Sequence, residues 1–314
     1  MNFSLEKIAG LAREHYGLDV SATALPGEID LNFLVQTASG EKFTLKIANP
    51  NEQREQLEFQ HALIERLAEA RQDWQIPRIV PSLKGEKIIS LAAPDGSSRW
   101  LRLLGWVEGR CLAEVNPHSP ELLENVGALC GKLGVALAGF EHPAARRWLK
   151  WDPSQAAWTR EHLPEIADPE QRKLAERFLQ RFEQQAVPLF PQLRQSVTYN
   201  DANDYNVLVG HDPLQPDVPG VIDFGDAVLT HTINELAIAA AYAAMHKPDP
   251  LAAIALLVKG CHRVFPLAEK EVEALLSLTG ARLLISVVCS AINRAENPDN
   301  LYLQISDQAA WDLM

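Results

Sequence analysis

Two polar stretches decide how this chain is interpreted: Tyr199-Asn200-Asp201-Ala202-Asn203-Asp204-Tyr205-Asn206-Val207-Leu208-Val209 and, after a loop, Val221-Ile222-Asp223-Phe224-Gly225-Asp226. Acidic and amide side chains in the first stretch, and acidic side chains in the second, gather beside a short apolar run that is typical of a strand. Such side chains at neighbouring strand ends are suited to hold a cation and to accept a proton. A purely structural role is the alternative, because Asn and Asp also cluster where they bridge the backbone in turns.

Phosphoryl transfer is the chemistry that uses these residue types together. It needs a carboxylate that positions the attacking hydroxyl and accepts its proton, and oxygen ligands for magnesium on the phosphates. Asp201 fits the first role. Asn206 and Asp223 fit the second, because a hairpin between them would bring both side chains beside one ion. A calcium-binding EF-hand loop starting at Asp201 is excluded, since it would place Tyr205 at a ligand position and Asn206 at the glycine position.

The rest of the chain changes from strand patterns to helix patterns near residue 108. A first helix ends near Gly17, and a second helix is inserted among five predicted strands. These strands cover residues 20–25, 31–37, 42–48, 87–91 and 99–107, and the inserted helix covers 52–70. Helical spacing follows over residues 120–139, 169–185, 233–246, 250–264, 269–278 and 281–294. We therefore predict an α+β, bilobal chain with a small β-rich N-lobe (1–107) and a larger α-helical C-lobe (108–314).

Composition excludes several classes of function. The chain has 314 residues, 47% of them hydrophobic, which is enough for two packed units. A net charge of -12 argues against nucleic acid or an anionic membrane as the main partner and is compatible with a cationic or zwitterionic small substrate. The four separated cysteines, the lack of a visible signal peptide and a longest apolar run of only Leu236 to Met245 favour a reduced cytoplasmic protein without a membrane span.

The two polar stretches resemble the catalytic loop and the magnesium-binding loop of the aminoglycoside phosphotransferase and choline kinase-like superfamily. The order of N-lobe elements extends this resemblance over almost the whole chain. Hydroxylysine kinases, and the kinase-like domains fused ahead of class III aminotransferase-fold phospholyases, are the most similar subgroup. The segments that carry the resemblance are Leu25 to Phe33, Leu45 to Asn49, Asn200 to Val209, and Ile222 to Asp226 running into Glu235-Leu236-Ala237. The resemblance implies a protein-kinase-like fold that transfers the γ-phosphoryl group of ATP or GTP, with Mg²⁺, to a hydroxyl group.

By that resemblance the N-lobe binds the nucleotide. Lys46 would contact the α- and β-phosphates, and Glu58 on the next helix best fits the family spacing for its anionic partner. The turn from Gly27 to Asn32 would cover the phosphates with backbone N–H groups, and the strand end at Leu104 and Trp106 would face the base. A snorkelling lysine, solvated glutamates and an ordinary strand end are the structural alternatives.

Two departures from the family pattern bear on activity. Tyr199 stands where the family has a histidine that packs under the magnesium loop, and an aromatic replacement is able to preserve that packing. The glycine loop is also abbreviated, with Gly27 as its one glycine. A nucleotide-binding pseudokinase or regulatory domain is therefore a second hypothesis, although the joint presence of Lys46, Asp201 and the two metal-ligand candidates argues against it.

The acceptor implied by the resemblance is an amine-bearing alcohol such as hydroxylysine, because phospholyases consume phosphorylated amino alcohols. Asp204, Asp226, Trp151 and Asp152 are candidates to hold its ammonium group. Core or helix-start roles are equally open for Trp151 and Asp152. Kinases for homoserine, choline or an aminoglycoside share the scaffold and are competing assignments.

Two further segments carry expectations. Glu235, at the start of an apolar helix, is expected to brace the catalytic loop or to serve the helix N-terminus rather than to meet substrate. Residues 306–314 keep apolar side chains at helical spacing, and a similar segment leads into further domains in the fused relatives. Both a fused downstream domain and a docked C-terminal helix are therefore open.

Overall fold

A computed structural model describes residues 3–28, 30–70, 74–92, 98–212, 216–296 and 307–314 of the chain. Two compact units form, one from Met1–Glu65 with Ile76–Val107 and the other from Arg66–Gln75 with Glu108–Met314. Residues 66–75 group with the second unit because Arg66 Nε donates a hydrogen bond to the Ala136 carbonyl oxygen at 2.9 Å, and Gln75 pairs with Gly220.

The first unit is an antiparallel sheet with two helices. Its elements are α1 (Leu5–Tyr16), β1 (Val20–Leu25), β2 (Leu31–Thr37), β3 (Lys42–Ile47), α2 (Arg54–Glu69), β4 (Ile79–Val80), β5 (Ile89–Ala92) and β6 (Ser98–Gly105). The last turn of α2 belongs to the second unit. The strands pair in the order β1-β2-β3-β6-β4, and β5 also pairs with β6. Ile8, Val35, Leu45 and Leu101 are fully buried in its core, so α1 packs its apolar side against the sheet.

The described sheet has six strands where the sequence predicted five. The additional strand is β4, whose two residues pair with Leu104 and Leu103 of β6. A strand of two residues between Pro77 and Pro81 shows no alternation of apolar and polar positions, so periodicity does not reveal it.

The second unit is mostly helical and contains two small antiparallel sheets. Its elements are β7 (Arg110–Cys111), α3 (Pro120–Ala136), α4 (Pro169–Arg181), β8 (Gln195–Thr198), β9 (Val207–Val209), β10 (Gly220–Val221), β11 (Val228–His231), α5 (Asn234–Ala244), α6 (Pro250–Val264), α7 (Glu269–Glu296) and α8 (Asp307–Leu313). The sheets have the strand orders β10-β9-β7 and β11-β8. Helix α5 is buried along its whole length. The α+β class, with a sheet-rich N-terminal part and a helical C-terminal part, is confirmed.

Helix α7 corrects two expectations. The sequence predicted separate helices over 269–278 and 281–294, but the helix is continuous, and a Cβ atom at Gly280 would lie 2.9 Å from the Phe178 ring. The glycine therefore allows close packing instead of ending the helix. The sequence offered Leu236 to Met245 as the longest apolar run, which is too short to span a membrane. As one continuous helix, α7 is long and apolar enough to do so by length and composition alone. Its most apolar window is 83% buried inside the protein, as in a core helix.

Candidate active site

The hairpin of β9 and β10 brings the two polar stretches together. Val207 pairs with Val221, and the Ile222 N–H donates to the Asn206 carbonyl oxygen at 3.0 Å. Asn206 therefore lies beside the backbone that leads directly into Asp223. Asp223 has a left-handed backbone (φ 58°), and its Oδ1 accepts a hydrogen bond from the Gly225 N–H at 3.1 Å. The predicted adjacency of Asn206 and Asp223 follows from this register.

Asp201 is held by amide groups of its own loop. Asn206 Nδ2 donates to Asp201 Oδ2 at 2.5 Å, and Asn203 Nδ2 donates to Asp201 Oδ1 at 2.9 Å. The Asp201 side chain is 15% exposed. Burial raises its pKa well above the ordinary value, the carboxylates of Asp226 and Asp223 raise it further, and the Arg282 guanidinium and Asn203 oppose the rise. This environment favours a carboxylate that accepts a proton from a donor placed against it.

The donor atoms on the hairpin fit a magnesium ion. Because Asn206 turns its Nδ2 toward Asp201, its Oδ1 is the atom that a cation would meet. Asp223 adds a carboxylate from the neighbouring strand end. Among the described residues no group of three or more His, Cys, Asp and Glu side chains is arranged around a metal position. A cation here would take most of its ligands from water and phosphate, which is how Mg²⁺ is commonly bound.

Tyr199 supports the loop that carries Asp223. It is fully buried, its hydroxyl donates to the Ile222 carbonyl oxygen at 2.5 Å, and its ring meets the Phe224 ring edge-on with centroids 5.2 Å apart. The aromatic residue in place of the family histidine thus packs beneath the second polar stretch and also anchors its backbone.

Glu235 braces the backbone of the first polar stretch, in agreement with the contact that the sequence predicted. Its Oε2 accepts a hydrogen bond from the Asn200 N–H at 3.0 Å, and Asn200 has a left-handed backbone (φ 63°). Burial raises the pKa of Glu235 to about 7, against the opposing effect of the N–H groups of Asn200 and Tyr199. The carboxylate therefore fixes the backbone just ahead of Asp201.

Two arginines at the site were not predicted. Arg282 of α7 places Nη2 3.2 Å from Asp201 Oδ1. Arg147 donates through Nε to the Ala227 carbonyl oxygen at 3.2 Å and through Nη2 to the carbonyls of Gly225 and Ala227, so it holds the segment after Asp223. Arg282 carried a signal in the sequence, because it is the one charged residue between Glu273 and Arg294.

The predicted acceptor residues have different surroundings. Asp152 is 2% exposed, and its Oδ1 accepts from the Ser154 N–H at 2.9 Å and from Asn234 Nδ2 at 2.7 Å. Its carboxylate therefore starts the 3-10 helix that follows and is not presented to an acceptor, which supports the helix-start alternative. The Trp151 carbonyl oxygen accepts a hydrogen bond from Arg282 Nη1 at 2.6 Å, and the face of the Trp151 ring lies against the Arg282 guanidinium.

The other two candidates lie on the polar stretches themselves. Asp204 is part-buried, and none of the described groups donates a hydrogen bond to its Oδ1. Burial raises the pKa of Asp204 to about 6, with opposing charge from His246 and Lys247. Asp226 lies near enough to Asp201 for its charge to raise the pKa of that residue. The predicted contact of both carboxylates with the acceptor stays a prediction.

In the first unit, Lys46 lies on β3 opposite Asn32 of β2 and Arg102 of β6, and it is 7% exposed. This is the buried strand position predicted for a phosphate-binding lysine. Asn32 Nδ2 donates to the Pro26 carbonyl oxygen at 3.3 Å, and a Cβ atom at Gly27 would lie 2.6 Å from that same Nδ2. The same Cβ atom would lie 2.7 Å from the Asp30 carbonyl oxygen, so the backbone of the turn leaves no room for a side chain at Gly27.

The remaining nucleotide-site candidates occupy ordinary structural positions. Glu58 accepts a hydrogen bond from Arg54 Nε at 2.8 Å, one turn away on α2, and both side chains are about half-exposed. Its predicted pairing with Lys46 stays a prediction. Leu104 is buried in β6, and the Trp106 ring lies under the Lys42 ammonium at 6.0 Å. The role of this strand end at the base also stays a prediction.

Comparison with known proteins agrees with the geometry. The model of the phosphotransferase enzyme family (APH) matches residues 21–274. A hydroxylysine kinase of Danio rerio is 29% identical over 98% of this chain and 89% of its own length. A microcompartment-associated aminopropanol kinase superposes with a TM-score of 0.71 at 18% identity, covering 98% of this chain and 96% of its own. An amicoumacin kinase in complex with AMP-PNP, Ca²⁺ and Ami also gives a TM-score of 0.71, at 14% identity, covering 99% of this chain and 94% of its own.

The solved structures show the protein-kinase-like fold, and the family match extends over the sheet, the catalytic loop and the hairpin. Kinases of small molecules share this sequence pattern over nearly the full chain. The chain belongs to the phosphotransferase enzyme family and is a small-molecule kinase.

Proposed function

We propose that this chain moves the γ-phosphoryl group of ATP or GTP to the hydroxyl of a small amine-bearing acceptor, hydroxylysine or a related amino alcohol. The observation that carries the proposal is the Asp201 carboxylate held by Asn203 and Asn206 beside the Asp223 strand end. The near full-length similarity to hydroxylysine kinase supports the acceptor class, and the fold shared with an aminopropanol kinase is compatible with it. We further propose that it works in the cytoplasm.

Each candidate residue has its own role in phosphoryl transfer. Asp201 orients the acceptor hydroxyl and receives its proton, so the attacking oxygen becomes a better nucleophile. Asn206 Oδ1 and the Asp223 carboxylate would hold Mg²⁺, and Lys46 would contact the α- and β-phosphates. When bound, Mg²⁺ would supply positive charge that stabilises the negative charge on the phosphate oxygens during transfer. Catalysis then rests on positioning and charge, without a covalent enzyme intermediate.

Asp204 and Asp226 are proposed to bind the acceptor's ammonium group. Both carboxylates belong to the two polar stretches, and Asp204 Oδ1 accepts no hydrogen bond from a described residue. A charge-assisted hydrogen bond there would favour an amine over a neutral alcohol by about 1.5–3 kcal/mol, roughly ten- to a hundredfold in kcat/KM. Asp152 is omitted from this role because its carboxylate is committed to Ser154 and Asn234.

The test is release of nucleoside diphosphate with Mg²⁺ and either ATP or GTP, across hydroxylysine, ethanolamine, homoserine, choline and kanamycin. We expect the highest kcat/KM for hydroxylysine or another primary-amine alcohol. A clear preference for kanamycin, or for an acceptor without an amine, would contradict the acceptor class and leave the phosphotransferase activity intact.

The role of Asp201 is tested in the same assay. Asp201→Asn keeps the size of the side chain and removes the proton acceptor, so turnover should fall by about 100- to 10,000-fold. Nucleotide affinity should change little, because this carboxylate meets the acceptor. Glu161→Gln, an exposed acid in the same unit, is the matched control. Near-normal turnover of Asp201→Asn would contradict the assignment.

A further inference from the structure

Arg282 is a buried arginine that contacts the candidate proton acceptor from a core helix. Its side chain is 3% exposed, and Nη2 lies 3.2 Å from Asp201 Oδ1. Nη1 donates to the Trp151 carbonyl oxygen at 2.6 Å. Among the described groups that donate to the Asp201 carboxylate, Arg282 is the one that comes from outside the catalytic loop. It therefore ties the orientation of that carboxylate to α7.

Two aromatic rings fix the guanidinium in place. The guanidinium carbon lies 4.7 Å from the Trp151 ring centroid and 5.5 Å from the Tyr242 ring centroid. Cation–π contacts of this kind are strongest when the groups are withdrawn from water. The enclosure leaves almost no surface through which a substrate could reach Arg282, so its polar partners are Asp201, the Trp151 carbonyl and the Tyr242 hydroxyl.

Burial of Arg282 is unfavourable for the stability of the fold. A buried guanidinium loses its hydration, and in the described structure Arg282 Nε is buried without a hydrogen-bond partner. An apolar side chain would fit the rest of this stretch of α7, which is apolar around it. Arg282 also lies beside a cluster of negative charge, because the carboxylates of Asp226 and Asp223 are close enough to Asp201 to raise its pKa. A charged residue at this position is thus better explained by what it does to Asp201.

We infer that Arg282 is a positioning residue for phosphoryl transfer. It holds the Asp201 carboxylate in the orientation that receives the acceptor hydroxyl and offsets the negative charge gathered around that carboxylate, while Trp151 and Tyr242 keep the guanidinium from moving to the phosphates. The inference rests on the proposed role of Asp201 as the proton acceptor. It assigns Trp151 to the support of Arg282 instead of to the acceptor.

The first test separates kcat from KM. Arg282→Met keeps the length and removes the charge, and a carboxylate displaced by about 1 Å should lower kcat by about 100-fold. The KM for the nucleotide should stay within about twofold, the range expected for independent sites. Arg282→Lys should recover part of the loss, because it keeps the charge and lacks the planar fork. Arg294→Met is the matched control on the same helix, since Arg294 is half-exposed and pairs with Asp307 at 2.5 Å.

Two results would overturn the inference in this test. An unchanged kcat in Arg282→Met would show that Asp201 needs no support from α7. A rise in the nucleotide KM as large as the fall in kcat would show that Arg282 acts on the phosphates. If Arg282→Met is poorly folded, Arg282→Lys and restoration of Arg282→Ala turnover by added guanidinium ion provide the same comparison.

A double-mutant cycle with Asp201→Asn gives the second test. If Arg282 acts through Asp201, removing Arg282 in the Asp201→Asn background should lower the residual kcat by no more than about twofold. Losses that multiply would overturn the inference while leaving the kinase assignment intact. Thermal unfolding of the same four proteins tests the ion pair without turnover, and additive shifts in Tm would show that the pair is not formed. A wild-type chain that phosphorylates none of the acceptors would overturn the proposed function and, with it, the positioning role, even where the Tm shifts are coupled.

Discussion

Removing the hydroxyl of Tyr199 should weaken both the fold and the proposed metal site. Tyr199→Phe keeps the ring against Phe224 and deletes the hydrogen bond to the Ile222 carbonyl oxygen. That carbonyl is then left without its Tyr199 donor in a part-buried position. Such a loss costs about 1–2 kcal/mol of unfolding free energy. For a unit of roughly 200 residues, each kcal/mol lowers Tm by about 2–4 °C, so we expect a fall of about 2–8 °C.

The functional effect follows from the backbone of Asp223. Its left-handed conformation is less favourable than a right-handed one, although Asp tolerates it better than most residues, and the surrounding contacts hold it in place. The Tyr199 hydroxyl holds the residue directly before it. Without that anchor, the Asp223 carboxylate should be less well placed, and loss of such a supporting contact weakens metal binding by about 10- to 100-fold. The Mg²⁺ concentration that gives half-maximal turnover should rise accordingly.

The assay combines differential scanning calorimetry with a Mg²⁺ titration of turnover at saturating nucleotide. Tyr205→Phe is the matched control, because Tyr205 lies on the same loop and its hydroxyl makes no hydrogen bond to a described residue. The control should change neither quantity. If Tyr199→Phe matches the wild type in Tm and in Mg²⁺ requirement, the anchoring role is refuted.

Three other changes have defined outcomes. Asp223→Ala should abolish the Mg²⁺-dependent rise in Tm that nucleotide gives the intact protein, and an unchanged rise would place the metal elsewhere. Burial raises the pKa of Asp152 from 3.8 to about 6, so the unfolded chain ionises first and the unfolding free energy falls as pH rises from about 4 to 6. The Asp152→Asn variant has no carboxyl to titrate, so its unfolding free energy should not fall in this way. Measured by urea denaturation, it should rise relative to that of the wild type by up to about 2–3 kcal/mol between about pH 4 and pH 6. A difference that stays constant over this pH range would contradict the prediction. Gly127→Ala places a Cβ atom 2.0 Å from the Leu257 carbonyl oxygen and should destabilise the fold by about 3 kcal/mol or more, whereas Gly134→Ala, with its nearest neighbour at 3.5 Å, should not.

Local patterns were sufficient to predict the hairpin that forms the site. Short apolar runs ending in acidic and amide residues predicted that Asn206 and Asp223 would lie together, because a hairpin fixes which strand ends are neighbours. The register of Val207 with Val221 confirms that reasoning. The bracing role of Glu235 was also predictable, since a carboxylate at the start of an apolar helix needs backbone donors to remain buried.

Contacts between segments that are distant along the chain could not be predicted from the sequence. Arg282 stood out as a lone charge in an apolar stretch, but nothing in helical spacing identifies Asp201, 81 residues away, as its partner. The glycine at position 280 is equally compatible with a helix end and with close helix packing, and only the position of Phe178 decides between them. Asp152 matched an acceptor-binding residue by type, whereas its hydrogen bonds to Ser154 and Asn234 depend on how the second unit packs.

Buried polar side chains hold the backbone of the two polar stretches in its left-handed conformations. Asn200 and Asp223 both adopt left-handed conformations, and each is held by a buried polar side chain, Glu235 for the first and Tyr199 for the second. Burying such groups costs free energy, and a core built for stability alone would replace them with apolar residues. Their presence couples the two polar stretches to α5 and to each other. Substitutions at these buried supports should therefore reduce turnover more than their effect on Tm alone would explain, whereas equally buried apolar residues should change turnover only as far as they unfold the protein.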